Sequence, residues 1–194
     1  MAGRQLKATL LTQRFGFTVM ANTGLAVKFR PLTNRRISRK QGLPPAQLPA
    51  KWRFRLAPVM EALKHFFSER DQFAKHNGIE LISVAPGRAQ VKMMLHPHHL
   101  NGVDLVHGGA IFTLADFAFA VASNSHGTLA VAINVSISFL KAASAGTLWA
   151  DAREVSLNPK LGSYTVEVKD DAGQLVAVFQ GLAYRKPDKL PIQS

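Results

Sequence analysis

The order of apolar and polar residues after residue 58 predicts one helix followed by two strands. Apolar side chains recur at near-helical spacing from Pro58 to Lys75, and Pro58 suits a first helical turn because it has no N–H to leave unpaired. The apolar run 79–85 and the period-two pattern from Val91 to Leu95 then predict two strands joined by a turn.

A second helix is predicted from Ala110 to Ala122, where almost every residue is apolar. A helix without a polar face is expected to be buried on every side. Its thirteen residues are too few to span a bilayer. Gly127 suits the C-terminal cap of this helix.

Four further strands are predicted by alternating or β-prone runs at 133–139, 148–157, 164–168 and 174–184. Short turns between them indicate antiparallel pairing. The predicted fold class is therefore α+β, with a long buried central helix wrapped by a curved antiparallel sheet. The rest of the chain is too short to cover the outer face and both edges of that sheet, which favours at least a dimer.

The positive charge is confined to the N-terminal segment. The chain has 194 residues, 24 Lys or Arg and 12 Asp or Glu, for a net charge of +12. Residues 1–57 hold twelve of the bases and no acid, so the remaining residues are balanced. The whole-chain charge therefore describes neither part.

Four interpretations compete for residues 1–57: a nucleic-acid arm, a transit peptide, a small binding module, or an extension with no folded role from a start codon assigned too early. We favour the extension, because the chain from Met60 onwards forms a complete pattern of elements. The predicted organisation is a basic, unstructured extension at 1–57, a folded domain at 58–187 and a tail at 188–194.

Composition excludes several kinds of chemistry. The chain has no cysteine, so disulfides, thiol catalysis and thiolate zinc sites are excluded. No apolar run reaches 18 residues, so we expect a cytoplasmic protein with no membrane partner. His96, His98 and His99 could bind a metal, but no acidic ligand accompanies them, and a polar loop is the favoured interpretation.

Candidate chemistry lies between Asn101 and Asp116. His107, Gly108 and Gly109 stand where the apolar helix begins, and the two glycines would leave backbone N–H groups open to a carbonyl oxygen. By itself this motif is also explained by a tight entry into the helix. Asp116 is the only charge from Gly108 to Ser125, and burial would raise its pKa towards that of a useful general base.

Spacing separates these two features. Asp116 lies nine residues after His107, which is about 13 Å along a helix. Two antiparallel helices across a two-fold axis would bring Gly108 of one chain beside Asp116 of the other. The alternative for Asp116 is a buried carboxylate satisfied by Ser123 or Ser125 of a facing copy.

A family resemblance is carried by four runs: NGVDLVHGGAIFTLADFAFAVASNSHG, AVAINVSISFLKAA, GSYTVEV and VAVFQGLAYR. These runs resemble the hotdog-fold thioesterases, and most closely the phenylacetate-degradation (PaaI) type. The resemblance covers about residues 60–187. It implies acyl-CoA hydrolysis with no metal and no cofactor apart from the CoA of the substrate. It assigns Asp116 as base or nucleophile from the opposite subunit, Gly108 as the carbonyl donor, Asn101 as a water ligand and His107 as a loop-orienting residue beside the thioester.

The resemblance also implies a homo-oligomer, usually a tetramer of two dimers, and a set of substrate contacts. The candidate contacts are residues beside the motif and surface cations near strand ends: Gly109, Phe117, Asn124, Lys141, Arg185 and Lys186. An asparagine at the position of Asn124 is more often a helix-capping group than a ligand, and each cation is equally well explained as a solvated strand-end charge. The chain departs from the family pattern at Phe117, at Lys141-Ala142 and at Leu161-Gly162. These departures leave the substrate preference and the residues that anchor CoA open.

Two other functions stay open at this point. The first is a non-catalytic acyl-CoA-binding hotdog protein whose basic N-terminus binds nucleic acid, although a nucleic-acid partner is not favoured. The second is an enoyl-CoA hydratase, which the His-Gly-Gly context of Asp116 disfavours.

Overall fold

A computed structural model describes the backbone of residues 50–192 and the side chains of residues 58–192. The prediction for residues 1–49 lies outside this part of the chain. The elements are α1 (Ala50–Arg70), α2 (Gln72–His76), β1 (Ile79–Ala85), β2 (Arg88–Met94), α3 (Gly108–Asn124), β3 (Thr128–Phe139), β4 (Thr147–Leu157), β5 (Leu161–Lys169) and β6 (Leu175–Lys189). A 3-10 turn at Pro97–His99 precedes α3.

The first helix differs from its prediction at both ends. It begins at Ala50, so Pro58 lies inside the helix rather than in its first turn, where it removes one backbone hydrogen bond. It ends at Arg70, and Asp71 then caps the separate helix α2 by accepting the N–H of Ala74 at 2.9 Å. The predicted helix at 58–75 is therefore the end of one helix and most of another.

The six strands form one antiparallel sheet in the order β1-β2-β4-β5-β6-β3. Helix α3 packs against this sheet and supplies much of the core, with Leu114, Ala118 and Val121 fully buried. The ring of Phe119 reaches Tyr164 of β5 and Phe179 of β6, with centroids 5.5 and 5.6 Å away. The predicted α+β fold, a central helix wrapped by an antiparallel sheet, is confirmed.

Helix α3 is almost wholly apolar but is not buried on every side, which corrects the prediction. Gly109 is exposed, and Thr113, Asp116 and Ala120 are partly exposed. These four positions recur every three or four residues, so they form one stripe along the helix. The carboxylate of Asp116 therefore lies on the one face of α3 that the sheet does not cover.

Strand β3 is an edge of the sheet, and its pattern is less regular than predicted. It begins at Thr128, and register shifts near Ala130 and Ala132 interrupt its pairing with β6. Val135 and Ile137 are partly buried against the core, whereas Ile133 and Phe139 are more than half exposed. One side of the β3 backbone is left without a strand partner among residues 50–192.

The C-terminal ends of α3 and β6 also differ from their predictions. Ser125, not Gly127, occupies the C-cap of α3, and Gly127 follows with a positive φ of 75°. Strand β6 continues past the predicted domain end at residue 187 to Lys189, and Leu190 is buried with its N–H bonded to Gly127 O. None of the helices within the described residues is long and apolar enough to cross a membrane.

Gly181 in β6 tests the packing between sheet and helix. A Cβ atom at this position would lie 2.8 Å from ring atoms of the buried Phe119, so Gly181→Ala is expected to destabilise the fold by about 1–3 kcal/mol. Urea unfolding measures the change. Gly102→Ala is the control, because no atom lies within 4 Å of the added Cβ. Equal losses for the two variants would contradict this packing.

Candidate active site

The loop before α3 is organised by the side chain of Asn101. The side-chain Oδ1 accepts the N–H groups of Val103 and Leu105 at 3.0 and 3.2 Å. The backbone N–H of Asn101 donates to Leu105 O at 2.7 Å. A bridge between Leu100 and Val106 closes the loop. The Nδ2 amide of Asn101 has no hydrogen-bond acceptor among the described residues, so it can donate to a ligand.

His107 caps the start of α3. Its N–H donates to His99 O at 2.8 Å, and its Nδ1 accepts the N–H of Gly109 at 2.9 Å. Because Nδ1 is an acceptor, the neutral ring carries its proton on Nε2. The exposed imidazole therefore presents a donor towards solvent while its other nitrogen holds the helix end.

The first turn of α3 leaves one backbone donor unused. An α-helix begins with four N–H groups that have no partner within the helix. The N–H groups of Ala110 and Ile111 donate to His107 O at 2.9 and 3.3 Å, and that of Gly109 donates to the His107 ring. Among the described residues, only Gly108 of this turn has an N–H without an acceptor.

Neither glycine has a positive φ, so the space at each position is limited by a neighbouring ring rather than by backbone conformation. A Cβ on Gly108 would lie 3.2 Å from Cζ of Phe139, and a Cβ on Gly109 would lie 3.0 Å from Nδ1 of His107. The prediction that both glycines leave open N–H groups is therefore corrected, because the Gly109 N–H is capped and only that of Gly108 is open.

Asp116 lies on the partly exposed stripe of α3, and no described residue donates a hydrogen bond to its carboxylate. Burial raises the pKa of Asp116 above its ordinary value, and the negative charge of Asp71 raises it further. Asp71 was missed by sequence reasoning, because its only local signal is that of a helix cap.

The serine alternative for Asp116 is not supported. The Ser123 hydroxyl donates to Ala120 O at 3.1 Å, and that of Ser125 donates to Ala122 O at 2.7 Å. Ser125 Oγ also accepts the N–H of Gly87. Since a hydroxyl has one proton, neither serine has a donor left for a carboxylate.

The structure brings together some of the predicted site residues and separates others. Asn101, His107, Gly108 and Gly109 belong to one loop and helix start. Asp116 is eight residues beyond Gly108 on the same helix, about 12 Å away. Within one chain, Gly108 and Asp116 therefore do not lie at the same point on the helix.

Two of the predicted substrate contacts are buried within this chain. The Asn124 amide is 4% exposed; its Nδ2 donates to Ala120 O and Ala130 O, and its Oδ1 accepts the N–H of Ala130. It therefore ties the end of α3 to β3. Phe117 is also 4% exposed and packs edge-on against Phe67 of α1, so it belongs to the core.

Two of the three candidate cations are engaged within the chain. Lys141 pairs with Asp170 at 2.7 Å and also bonds Gln174. Arg185 donates to Asn158 O and to Thr128 Oγ1, at 2.9 and 3.4 Å. These contacts favour structural roles for both side chains. Lys186 has no ion-pair partner in the described part of the chain.

The histidine cluster is tied to the loop structure. His99 is buried, with Nδ1 accepting the N–H of His96 at 3.0 Å and Nε2 lying 3.1 Å from Asn77 O. Burial lowers the pKa of His99, and the neighbouring His98 lowers it further. Within the described residues, no three His, Cys, Asp or Glu side chains are grouped to hold a metal ion.

Comparison with known proteins places this geometry in a family. The Thioesterase superfamily profile matches residues 104–177. A putative esterase of Archaeoglobus fulgidus is 42% identical over 134 residues, covering 69% of this chain and 87% of the relative. The acyl-coenzyme A thioesterase PaaI of Escherichia coli is 41% identical over 122 residues, covering 62% and 87%. The structure of the E. coli PaaI protein superposes with a TM-score of 0.65 at 38% identity, covering 70% of this chain and 96% of the other.

The chain therefore belongs to the thioesterase superfamily, and its architecture is the hotdog fold. Within that superfamily it is an acyl-CoA thioesterase of the PaaI type, a hydrolase acting on thioester bonds.

The cap at His107 can be tested by its effect on stability. His107→Ala removes the acceptor for the Gly109 N–H and is expected to cost about 1 kcal/mol in the free energy of unfolding. His107→Asn keeps an acceptor at the N-cap and should lose much less. Denaturant titration compares the two variants, and indistinguishable losses would count against the cap.

Asp116→Asn separates a functional carboxylate from a structural one. Because the pKa of Asp116 is raised from 3.8, the unfolded chain ionises first as pH increases, and ionisation then opposes folding. The variant should therefore have a higher Tm than the native chain at pH 7, with the difference shrinking towards pH 4. A variant less stable than the native chain at pH 7 would indicate that the carboxylate has a stabilising partner.

Proposed function

We propose that this chain hydrolyses the thioester of aryl- or medium-chain acyl-CoA, with Gly108 of one protomer and Asp116 of its partner at each site. No metal or cofactor takes part in the proposed reaction, apart from the CoA of the substrate. The observation that carries the proposal is the open N–H of Gly108 at the start of α3.

The start of α3 suits a developing oxyanion. A helix of 17 residues places a partial positive charge at its first turn, and three of the first four N–H groups there already have acceptors. The remaining Gly108 N–H can therefore donate to one oxygen in one direction. A fixed donor aimed at a carbonyl oxygen stabilises the tetrahedral intermediate more than the substrate.

Asp116 suits the role of general base. A carboxylate without hydrogen-bond donors and with a raised pKa is a stronger proton acceptor than an exposed one. In the proposed step, Asp116 takes a proton from water as the water oxygen bonds to the carbonyl carbon. The intermediate then expels CoA as the thiolate, leaving the carboxylic acid. The Asn101 amide, through its available Nδ2, holds the water in place.

A dimer is needed to complete this site. Gly108 and Asp116 are about 12 Å apart along one helix, so they cannot act on the same carbonyl from one chain. The uncovered stripe of α3 and the unpaired side of β3 support an interface that places two α3 helices antiparallel across a two-fold axis. We propose this dimer as the active unit, with a tetramer as a dimer of dimers.

The acyl group and the CoA contacts are also part of the proposal. The E. coli relative is described as a protein of the phenylacetic acid degradation operon, which supports an arylacetyl substrate. Lys186 is the preferred phosphate contact, since Lys141 and Arg185 are engaged elsewhere. Because the proposed catalytic residues all lie between Asn101 and Asp116, we propose that residues 1–49 are not needed for turnover. We also propose a cytoplasmic location for the enzyme.

Release of free CoA from phenylacetyl-CoA, hydroxyphenylacetyl-CoA and straight-chain acyl-CoAs tests the proposal. Asp116→Asn should lower kcat by about 10²–10⁴-fold while the fold is kept, because the base is lost. Asp104→Asn is a matched control: Asp104 is exposed and has a φ of 58°, a conformation that Asn also tolerates.

Near-native turnover by Asp116→Asn would contradict the mechanism. If the native chain binds acyl-CoA but releases no CoA from any substrate, the non-catalytic binding function replaces it. The next measurement would then be salt-dependent DNA binding by the full chain.

A further inference from the structure

Phe139 is an exposed aromatic residue at the end of β3, held in place by its backbone. It pairs with Ala177 of β6, and the N–H groups of Leu140 and Lys141 both donate to Val176 O, at 2.8 and 3.2 Å. The backbone at Phe139 and just after it is therefore held against β6. Even so, 53% of Phe139 is exposed.

The buried part of this ring lies against Gly108. The three atoms nearest to a Cβ built on Gly108 are Cζ, Cε1 and Cε2 of Phe139, at 3.2, 3.6 and 3.6 Å. The ring thus fills the space that a side chain at residue 108 would need. A large, partly exposed apolar ring therefore lies next to the residue whose backbone N–H has no acceptor among the described residues.

We infer that Phe139 determines acyl specificity by forming the wall against which the acyl group packs next to the thioester. This inference rests on the proposed function. A carbonyl oxygen bound to the Gly108 N–H lies about 3 Å from that nitrogen, so the groups attached to the carbonyl carbon come within reach of the ring.

The acyl side of the thioester fits this wall better than the CoA side. The two groups on the carbonyl carbon are the acyl chain and the sulfur of the pantetheine arm. The pantetheine arm carries polar amides, whereas an aryl or alkyl acyl group is apolar and gains from contact with an aromatic ring. If Phe139 contacts the acyl group, substitution of Phe139 should change the ratio of kcat/KM between two acyl-CoA substrates. It should not lower kcat/KM equally for both.

The closing experiment uses the full chain and measures kcat and KM separately for phenylacetyl-CoA and acetyl-CoA. Phe139→Ala should lower the ratio of kcat/KM for phenylacetyl-CoA over acetyl-CoA by about tenfold. Phe139→Leu keeps part of the apolar contact and should give an intermediate ratio. Leu140→Ala is the matched control. Leu140 is the next residue and is 56% exposed, but none of its atoms is among the three nearest to a Cβ built on Gly108.

A second readout concerns the pairing of ring and glycine. Gly108→Ala alone should destabilise the chain, because its Cβ meets the ring at 3.2 Å, and adding Phe139→Ala should recover part of that loss in urea unfolding. Recovery shows that the two residues touch, and the specificity ratio shows what the ring does for the substrate.

Three results would overturn the inference: an unchanged ratio in Phe139→Ala and Phe139→Leu, an equal loss of kcat/KM on both substrates, or the same ratio change in Leu140→Ala. An equal loss would place the ring on the CoA side or in loop support. Failure of the proposed function is distinguishable, because the native chain would then release no CoA from either substrate, and the inference would fall with it. If Phe139→Ala does not fold, Phe139→Leu decides the matter.

Discussion

The start of α3 depends on His107, which accepts three backbone N–H groups with two of its atoms. Its carbonyl takes those of Ala110 and Ile111, and its imidazole takes that of Gly109. Residues Asn101 to Val106 form a loop that delivers His107 to this position, through the Asn101 side chain and the bond from His107 N to His99 O. In this arrangement, the backbone N–H of Gly108 is the donor of the first turn that has no acceptor among the described residues.

The site is built on features that cost the single chain stability. The partly buried carboxylate of Asp116 has no donor among the described residues, and burial and Asp71 both oppose its ionisation. Among residues 50–192, the edge strand β3 has no strand partner on one side of its backbone, and it carries exposed apolar side chains such as Ile133. A sequence selected only for a stable monomer would not keep these features, and the partner chain of the proposed dimer would account for both.

Runs of apolar residues in the sequence predicted the positions of several elements well. Strand β1 occupies the predicted range of residues 79–85, and the apolar run from Ala110 to Ala122 lies within α3. Pro58 misled because proline is usually a helix start, whereas here the helix continues through it. The exposed stripe of α3 was not predicted, since Gly109 and Ala120 do not differ in polarity from the buried alanines around them.

The residues of the candidate site were predicted in part. Asn101, His107, Gly108 and Asp116 came from a contiguous motif, and the structure gives the first three a shared geometry. The roles of Asn124 and Phe117 depend on partners in β3 and α1, which periodicity cannot identify. The contact between Gly108 and Phe139 was missed for the same reason: 31 residues separate them, and only the path of β3 along the sheet edge brings them together.

The division of one helix between two half-sites has a genetic consequence. In the proposed dimer, each α3 gives its first turn to one site and its middle to the other. A chain with a defective Asp116 paired with a chain with a defective Gly108 would concentrate both defects in one site and leave the second site intact. Two inactive alleles of this type would complement each other in one cell, whereas two alleles with defects at the same residue would not.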